Sequence, residues 1–222
     1  MSLIDSLINE GWLKTDRIIE AFKKIKREDF LPKGLKNSAE LNTALPIGFG
    51  QTISQPLTVA FMLELLQPKP GDKILDVGAG SGWTAALLAF IVRQKTNGKV
   101  VAVEVIPELA KFGEKNVAKY NFIKKQIVEF VCQDGSKGFL PALPTGQAGG
   151  RQVKKSSQNT EIYDKILVSA SGKDAPEALK EQLKIKGRLV CPIENSIWLF
   201  IKKSENDFQK KEYQGFVFVP LV

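Results

Sequence analysis

The segment Ile74-Leu75-Asp76-Val77-Gly78-Ala79-Gly80-Ser81-Gly82-Trp83 constrains this chain more than any other. A short apolar run ends, glycines stand at alternate positions, and an apolar run of helical length follows. Glycine allows positive φ and lets a backbone come close to a ligand with no Cβ in the way. The helix start beyond it offers unpaired N–H groups. The pattern predicts a strand, a tight turn and a helix whose N-terminus faces a ligand. The surroundings agree, because from residue 73 onward the pattern alternates. Strands are expected over 73–77, 100–104, 127–132, 165–170 and 188–193, and helices over 83–92, 107–120 and 175–183. Such an order specifies an α/β fold, a parallel sheet with helices on both faces. Two further strands, 198–202 and 216–221, have only the polar stretch 203–214 between them and predict an antiparallel hairpin at the sheet edge. The expected sheet has seven strands, mostly parallel and doubly wound, with an antiparallel C-terminal edge strand.

Glu104 closes the second of these strands. In a doubly wound sheet a carboxylate there lies beside the glycine loop, placed to accept both hydroxyls of a ribose. The spacing is GxGxG preceded by Asp76, unlike the GxGxxG of dinucleotide enzymes, and no phosphate-gripping lysine follows. An adenosyl ligand without phosphates suits these residues better. The alternative is a tight strand-to-helix turn with an exposed acid at a strand end.

Residues ahead of the sheet read as an N-terminal helical segment. Thr15 can cap a helix with its apolar stripe at Ile18, Ile19, Phe22 and Ile25. From Lys33 to Gln55 no period persists, so a long irregular connection is expected, and long ordered loops are usually functional. Pro56 then opens a mostly apolar helix. Within the connection, Ala44-Leu45-Pro46-Ile47-Gly48-Phe49-Gly50-Gln51-Thr52-Ile53-Ser54-Gln55-Pro56 delivers two hydroxyls, Thr52 and Ser54, to the start of that helix. Ser54 could serve there simply as an N-cap.

Composition narrows the chemistry. The 222 residues include no histidine, which removes Ser-His-Asp and Cys-His nucleophiles, imidazole bases and imidazole metal ligands. No metal is expected. A formal charge of +8 is carried by scattered residues, mostly lysine, and reads as a solvated surface rather than a nucleic-acid face. Cys132 and Cys191 are too far apart for a metal knuckle, and both are expected as buried free thiols in a reducing compartment. Neither a secretory signal nor a membrane span is visible, so a cytoplasmic protein is expected, acting as a monomer. A Gly-, Pro-, Ser- and Lys-containing stretch at about 140–160 reads as a disordered surface insertion, with a basic nucleic-acid arm as its alternative. The rest forms a single unit, in which 1–55 supplies helices and a ligand-facing loop and 56–222 the α/β core.

The glycine loop and acidic strand end resemble those of the S-adenosylmethionine-dependent methyltransferases with a Rossmann-like fold. Asp134-Gly135, after the third strand, fits the same pattern as an acceptor for the adenine amino group, or makes an ordinary Asp-Gly turn. The loop 44–56 closely resembles the signature of protein-L-isoaspartate O-methyltransferases, ALPIG-(aromatic or His)-GQTISQP. Arg27-Glu28-Asp29-Phe30-Leu31-Pro32 is similar to the R-E-x-F-V/L-P of that family, and Gln133-Asp134-Gly135 to its G-D-G. Residues 163–170, the 182–190 segment with Gly187-Arg188-Leu189-Val190, and Phe218-Val219-Pro220-Leu221 follow in the family's order. Phe49, where many bacterial relatives have His or Tyr, Ser171-Gly172-Lys173 and the insertion depart from its usual pattern.

The resemblance implies methyl transfer from S-adenosylmethionine to the free α-carboxylate of isoaspartyl residues in damaged proteins and peptides, which starts their repair through a methyl ester and succinimide. It implies a cofactor site of Gln51, Thr52, Ile53, Ser54, Asp76, Gly78, Gly80, Gly82, Glu104, Asp134 and Gly135. Ser54, then Thr52, are the catalytic candidates. Ile53, Ser54, Phe218, Val219, Pro220 and Leu221 would hold the substrate, the last four as a strand pairing with its backbone. Two alternatives are an RNA or DNA methyltransferase on the same fold and a non-catalytic S-adenosylmethionine-binding module. The former would normally carry (N/D)-P-P-(Y/W) where this chain has Ser169-Ala170-Ser171-Gly172.

Overall fold

The computed structural model describes residues 2–95, 97–139 and 163–218. The insertion at about 140–160 and the substrate candidates Val219, Pro220 and Leu221 lie outside the described residues. In chain order the elements are α1 (Leu3–Asn9), α2 (Asp16–Lys24), 3-10 turns at Arg27–Phe30 and Lys33–Ser38, β1 (Leu45–Gly48), β2 (Gln51–Ile53) and α3 (Pro56–Leu66). There follow β3 (Lys73–Val77), α4 (Trp83–Val92), β4 (Lys99–Glu104), α5 (Pro107–Ala118), β5 (Val128–Cys132) and β6 (Tyr163–Val168). The last elements are α6 (Glu177–Gln182), β7 (Leu183–Ile193), β8 (Ser196–Lys202) and β9 (Phe208–Gln214). Among the described residues no helix is long and apolar enough to cross a membrane.

β3 to β9 form one seven-stranded sheet in the order β5-β4-β3-β6-β7-β8-β9. The first five pair in parallel, whereas β8 runs antiparallel to both β7 and β9. The strand order reverses beside β3, which opens a crevice beyond the carboxyl ends of β3, β4 and β6. Period-two alternation decides the layers. Ile74, Val100 and Ala102 join the core under α2, α3, α4 and α5, while Leu75, Val77, Val101 and Val103 join the core with α6. Asp76 shares the face of Ile74 and so points toward α4. Nearly every residue of α4 is buried, because α2 and α5 pack on its remaining sides.

Several local expectations need correction. Among the described residues the last sheet strand is β9, inside the stretch expected to be a polar connection; residues 216–218 of the expected strand 216–221 are not in a strand, and 219–221 lie outside the described residues. A tight turn closed by Lys203 N donating to Asp207 O sets the register Lys202↔Phe208, and an edge strand exposed to solvent needs no apolar face. The chain leaves the sheet at Gly215, and Phe216 stacks on Phe61 with ring centres 5.2 Å apart. The helix expected to reach residue 183 stops at Gln182, and β7 starts at Leu183, well before residue 188. Thr15 occupies the cap position of α2 but makes no side-chain cap; its hydroxyl donates to Glu64 Oε2 at 2.7 Å instead. The irregular connection contains a small β1-β2 hairpin. Cys132 is exposed, since it is the last residue of a sheet-edge strand; only Cys191 is buried.

Candidate active site

The turn after β3 is fastened to the neighbouring strand: Gly78 N and Ala79 N both donate to Val103 O, at 2.9 and 3.0 Å. Gly78, Gly80 and Gly82 all have positive φ, as the alternating glycines require. Gly82 has a second reason to lack a side chain, because a Cβ there would lie 2.8 Å from Val117 and 2.9 Å from Gly113 O on α5. It serves helix packing and does not line the cleft.

Glu104 is buried at the end of β4, and its two oxygens accept from different backbone groups. Oε2 accepts from Gly80 N at 2.8 Å and Oε1 from Ile106 N at 3.0 Å. The carboxylate therefore sets the shape of the glycine loop as well as facing the cleft. Asp76 lies one layer below. It is fully buried, its Oδ2 accepts from Thr84 Oγ1 at 2.7 Å, and its Oδ1 has no partner among the described residues. Burial pushes this carboxyl up to about 7; the Thr84 bond opposes the rise and the nearby Glu104 charge adds to it.

The opposite wall is the β1-β2 hairpin. Its tip, Gly48-Phe49-Gly50, is in the left-handed region throughout, and Phe49 is 60% exposed. Ile47 reaches back to Gly80, where its Cδ1 would be 3.3 Å from an added Cβ. Gln51, Thr52, Ile53 and Ser54 all line the cleft. Ser54 is not the N-cap of α3, since Gln55 takes that position and Pro56 follows; Leu57 N is satisfied by Asn42 Oδ1 at 3.0 Å. The Thr52 and Ser54 hydroxyls have no hydrogen-bond partner among the described residues.

Together these walls bound a cleft that is open to solvent on one side, the concave setting in which small-ligand sites occur. Gly78, Gly80, Glu104 and Gly135 face it with the hairpin residues. Asp76 lies beneath it, and Asp134 beside it. Asp134 caps the 3-10 turn Gly135–Lys137, accepts from Ser136 N and Oγ, and pairs with Lys137 at 2.9 Å. The Ser136 hydroxyl above all, with Lys137, holds its carboxyl down at about 2. Phe218 packs against the core outside the cleft.

Sequence reasoning missed Trp83 and Thr84 in the first turn of α4, Val105 and Ile106 after the acidic strand end, and Ser169 and Ala170 after β6. Their common signal was position, immediately beyond the carboxyl end of a predicted strand. The departure at 171–173 turns away: Ser171 Oγ donates to Glu194 O at 3.1 Å, and Gly172 bridges to Ile193.

A doubly wound sheet, a GxGxG turn at its switch point and a carboxylate gripping that turn from the next strand define the class as an S-adenosylmethionine-dependent methyltransferase. A family model described as Protein-L-isoaspartate(D-aspartate) O-methyltransferase (PCMT) matches residues 1–147 and 152–222. The chain belongs to this family. The Methanopyrus kandleri protein-L-isoaspartate O-methyltransferase is 39% identical, over 99% of this chain and 89% of that protein. Protein-L-isoaspartate O-methyltransferase 2 of Archaeoglobus fulgidus is 41% identical, over 92% of this chain and 84% of that protein. In fold, the chain is similar to a Plasmodium falciparum protein-L-isoaspartate O-methyltransferase solved in complex with S-adenosyl-L-homocysteine. The TM-score is 0.81 at 23% identity, covering 99% of this chain and 96% of that one.

Proposed function

We propose that this chain methylates the free α-carboxylate of L-isoaspartyl residues in damaged proteins and peptides, and that the Thr52–Ser54 end of the hairpin holds that carboxylate. The observation that carries the reading is the pair of unpartnered hydroxyls facing the glycine loop across one cleft. S-adenosylmethionine, when bound, supplies an electrophilic methyl group on a positively charged sulfur. The residues present fit it: Glu104 faces the cleft with an anionic acceptor for ribose hydroxyls, and the loop glycines leave the backbone open to the ligand. Asp134, at the rim, is the candidate partner of the adenine amino group.

The acceptor arrives ionised, because an ordinary carboxyl has a pKa of about 4. With the cofactor bound beside Glu104 and the glycine loop, its methyl group would pass to a carboxylate oxygen held by Thr52 and Ser54, the electron pair of the broken carbon–sulfur bond remaining on sulfur. No proton moves, so a chain without histidine lacks nothing the step needs. What the protein must supply is alignment of oxygen, carbon and sulfur, which can be worth on the order of 7–11 kcal/mol. Ser54 and Thr52 donate to the carboxylate, and Ile53 and Ile47 limit its hydration from the hairpin side. We take the whole chain as one unit, with 1–55 serving the substrate side and 56–222 the cofactor, acting as a cytoplasmic monomer. Residues 218–221 are the candidate strand for the substrate backbone.

The test is transfer of labelled methyl to matched isoaspartyl and aspartyl peptides, with tRNA alongside. Base-labile label confined to the isoaspartyl peptide is expected; label in RNA, or in nothing, overturns the reading. Ser54→Ala should lower kcat about 10²-fold and leave S-adenosylmethionine affinity within a few-fold. Equal loss of binding and turnover would instead make Ser54 a structural residue.

A further inference from the structure

Arg27 opens the first 3-10 turn and is 6% exposed, yet no ion pair with a carboxylate is found for it among the described residues. Its two terminal nitrogens are spent on backbone carbonyls, while Nε is buried with no partner among the described residues. Nη1 donates to Ala39 O and Leu41 O at 3.2 and 3.0 Å, and Nη2 donates to Thr43 O and Ser54 O at 2.7 and 3.1 Å. Residues 39–43 lead into β1 and Ser54 follows β2, so one side chain ties together both ends of the substrate-side hairpin. Its Cζ also sits 5.4 Å from the ring centre of Trp83, the first residue of α4 and part of the cofactor-side wall. A planar guanidinium spreads its donors over separate nitrogens and can reach four carbonyls while its face lies on a ring; an ammonium has three donors on a single nitrogen. Burial lowers its pKa to about 10, with the charge of Glu40 opposing the fall, so it remains a cation at neutral pH.

We propose that Arg27 is a positioning residue that clamps the two ends of the β1-β2 hairpin to each other and to the first turn of α4, so that the substrate and cofactor walls are held in register by one side chain. The proposal deepens the carboxyl-methylation reading and rests on it for its kinetic consequence. Arg27 does not touch the reacting atoms; it acts through the main chain of Ser54.

The experiment is hydrogen exchange by mass spectrometry on the full-length protein and its Arg27→Lys and Arg27→Met variants, with steady-state kinetics on an isoaspartyl peptide. Arg27→Lys keeps charge and stem, which covers the case in which Arg27→Met does not fold. In Arg27→Lys, amides of 42–54 and 83–86 should exchange about tenfold faster, with the rest of the sheet unchanged. Its kcat should fall on the order of 10- to 100-fold while KM for S-adenosylmethionine moves by less than about threefold. Unchanged exchange in 42–54, or a uniform rise across the sheet with activity tracking the folded fraction, overturns the clamp. A wild-type protein that methylates no isoaspartyl peptide defeats the functional reading instead, and exchange still decides the clamp.

Discussion

Glu104 and Asp76 are both acids near the glycine loop, and their surroundings separate their behaviour. Glu104 spends both oxygens on backbone N–H groups while facing the cleft, so Glu104→Ala removes the proposed ribose acceptor and loosens Gly80. Calorimetry should show S-adenosylmethionine binding weakened about 10- to 100-fold, on the scale of one or two charge-assisted hydrogen bonds; unchanged affinity would sink the assignment. Asp76 makes its prediction through pH. Its carboxyl titrates near 7 in the fold, against an ordinary value of 3.8 for a solvated aspartate, so between those values the folded chain binds the extra proton. Stability therefore falls as pH rises through that window, with a slope of at most ~1.4 kcal/mol per pH unit from this group. Asp76→Asn removes the effect, and its Tm should gain on wild type from about pH 4 to about pH 7 and level off above that. A constant Tm difference would show that Asp76 does not titrate there. The sequence marks the cleft positions of Glu104 and Ser54 because an acid at a strand end and a hydroxyl in a signature loop are recognisable by residue type and place. Arg27 was legible only as the start of a family segment, because its partners are carbonyl oxygens, which every residue has.

Helix α5 bears on the site through a contact between backbones. Gly113 lies in its middle, and a Cβ there would come within 2.6 Å of Gly80 O and 2.5 Å of Phe130. Gly113→Ala should therefore cost about 1–3 kcal/mol in stability by overpacking, and, because the displaced atom belongs to the ligand loop, weaken cofactor binding as well. A thermal melt and a titration on the same sample check both; a lower Tm with unaltered affinity would mean that α5 yields rather than the loop. Strands β3, β4 and β6 were readable because both their faces are covered, which leaves nearly continuous apolar runs. β9 escaped because Lys210, Lys211 and Glu212 face water at an edge, where pairing is decided by the backbone and the turn before it. Gly113 escaped because a glycine inside a helical pattern announces only a cost, and its benefit lies on another element.

At the scale of the whole molecule, the N-terminal segment is joined to the sheet domain through α3 and α4. Glu64 on α3 accepts from Lys14 N, Thr15 N and the Thr15 hydroxyl, and so anchors the residues that lead into α2. Phe22 meets Trp83 edge-on at 5.6 Å, next to Arg27. Glu64→Ala should lower unfolding stability by about 1.5–3 kcal/mol in denaturant melts, and protease sensitivity should rise first in residues 2–25; a purely global loss would mean that the segment has no independent opening. The layered α/β plan was legible throughout, because alternation and the glycine turn report on every strand they separate. The cleft's far wall was legible as a loop of site residues but not as a hairpin, since a Gly-punctuated hairpin has neither helical nor strand period until its partner strand is known. The chain's two thiols also differ sharply in setting. Cys191 is sealed in the core with its thiol pushed up to about 12, whereas Cys132 is exposed at the end of β5, level with Glu104 in the neighbouring strand. The unaltered molecule thus carries one addressable attachment point for a maleimide dye or spin label, at the rim of the cleft, from which ligand arrival can be watched without engineering a cysteine.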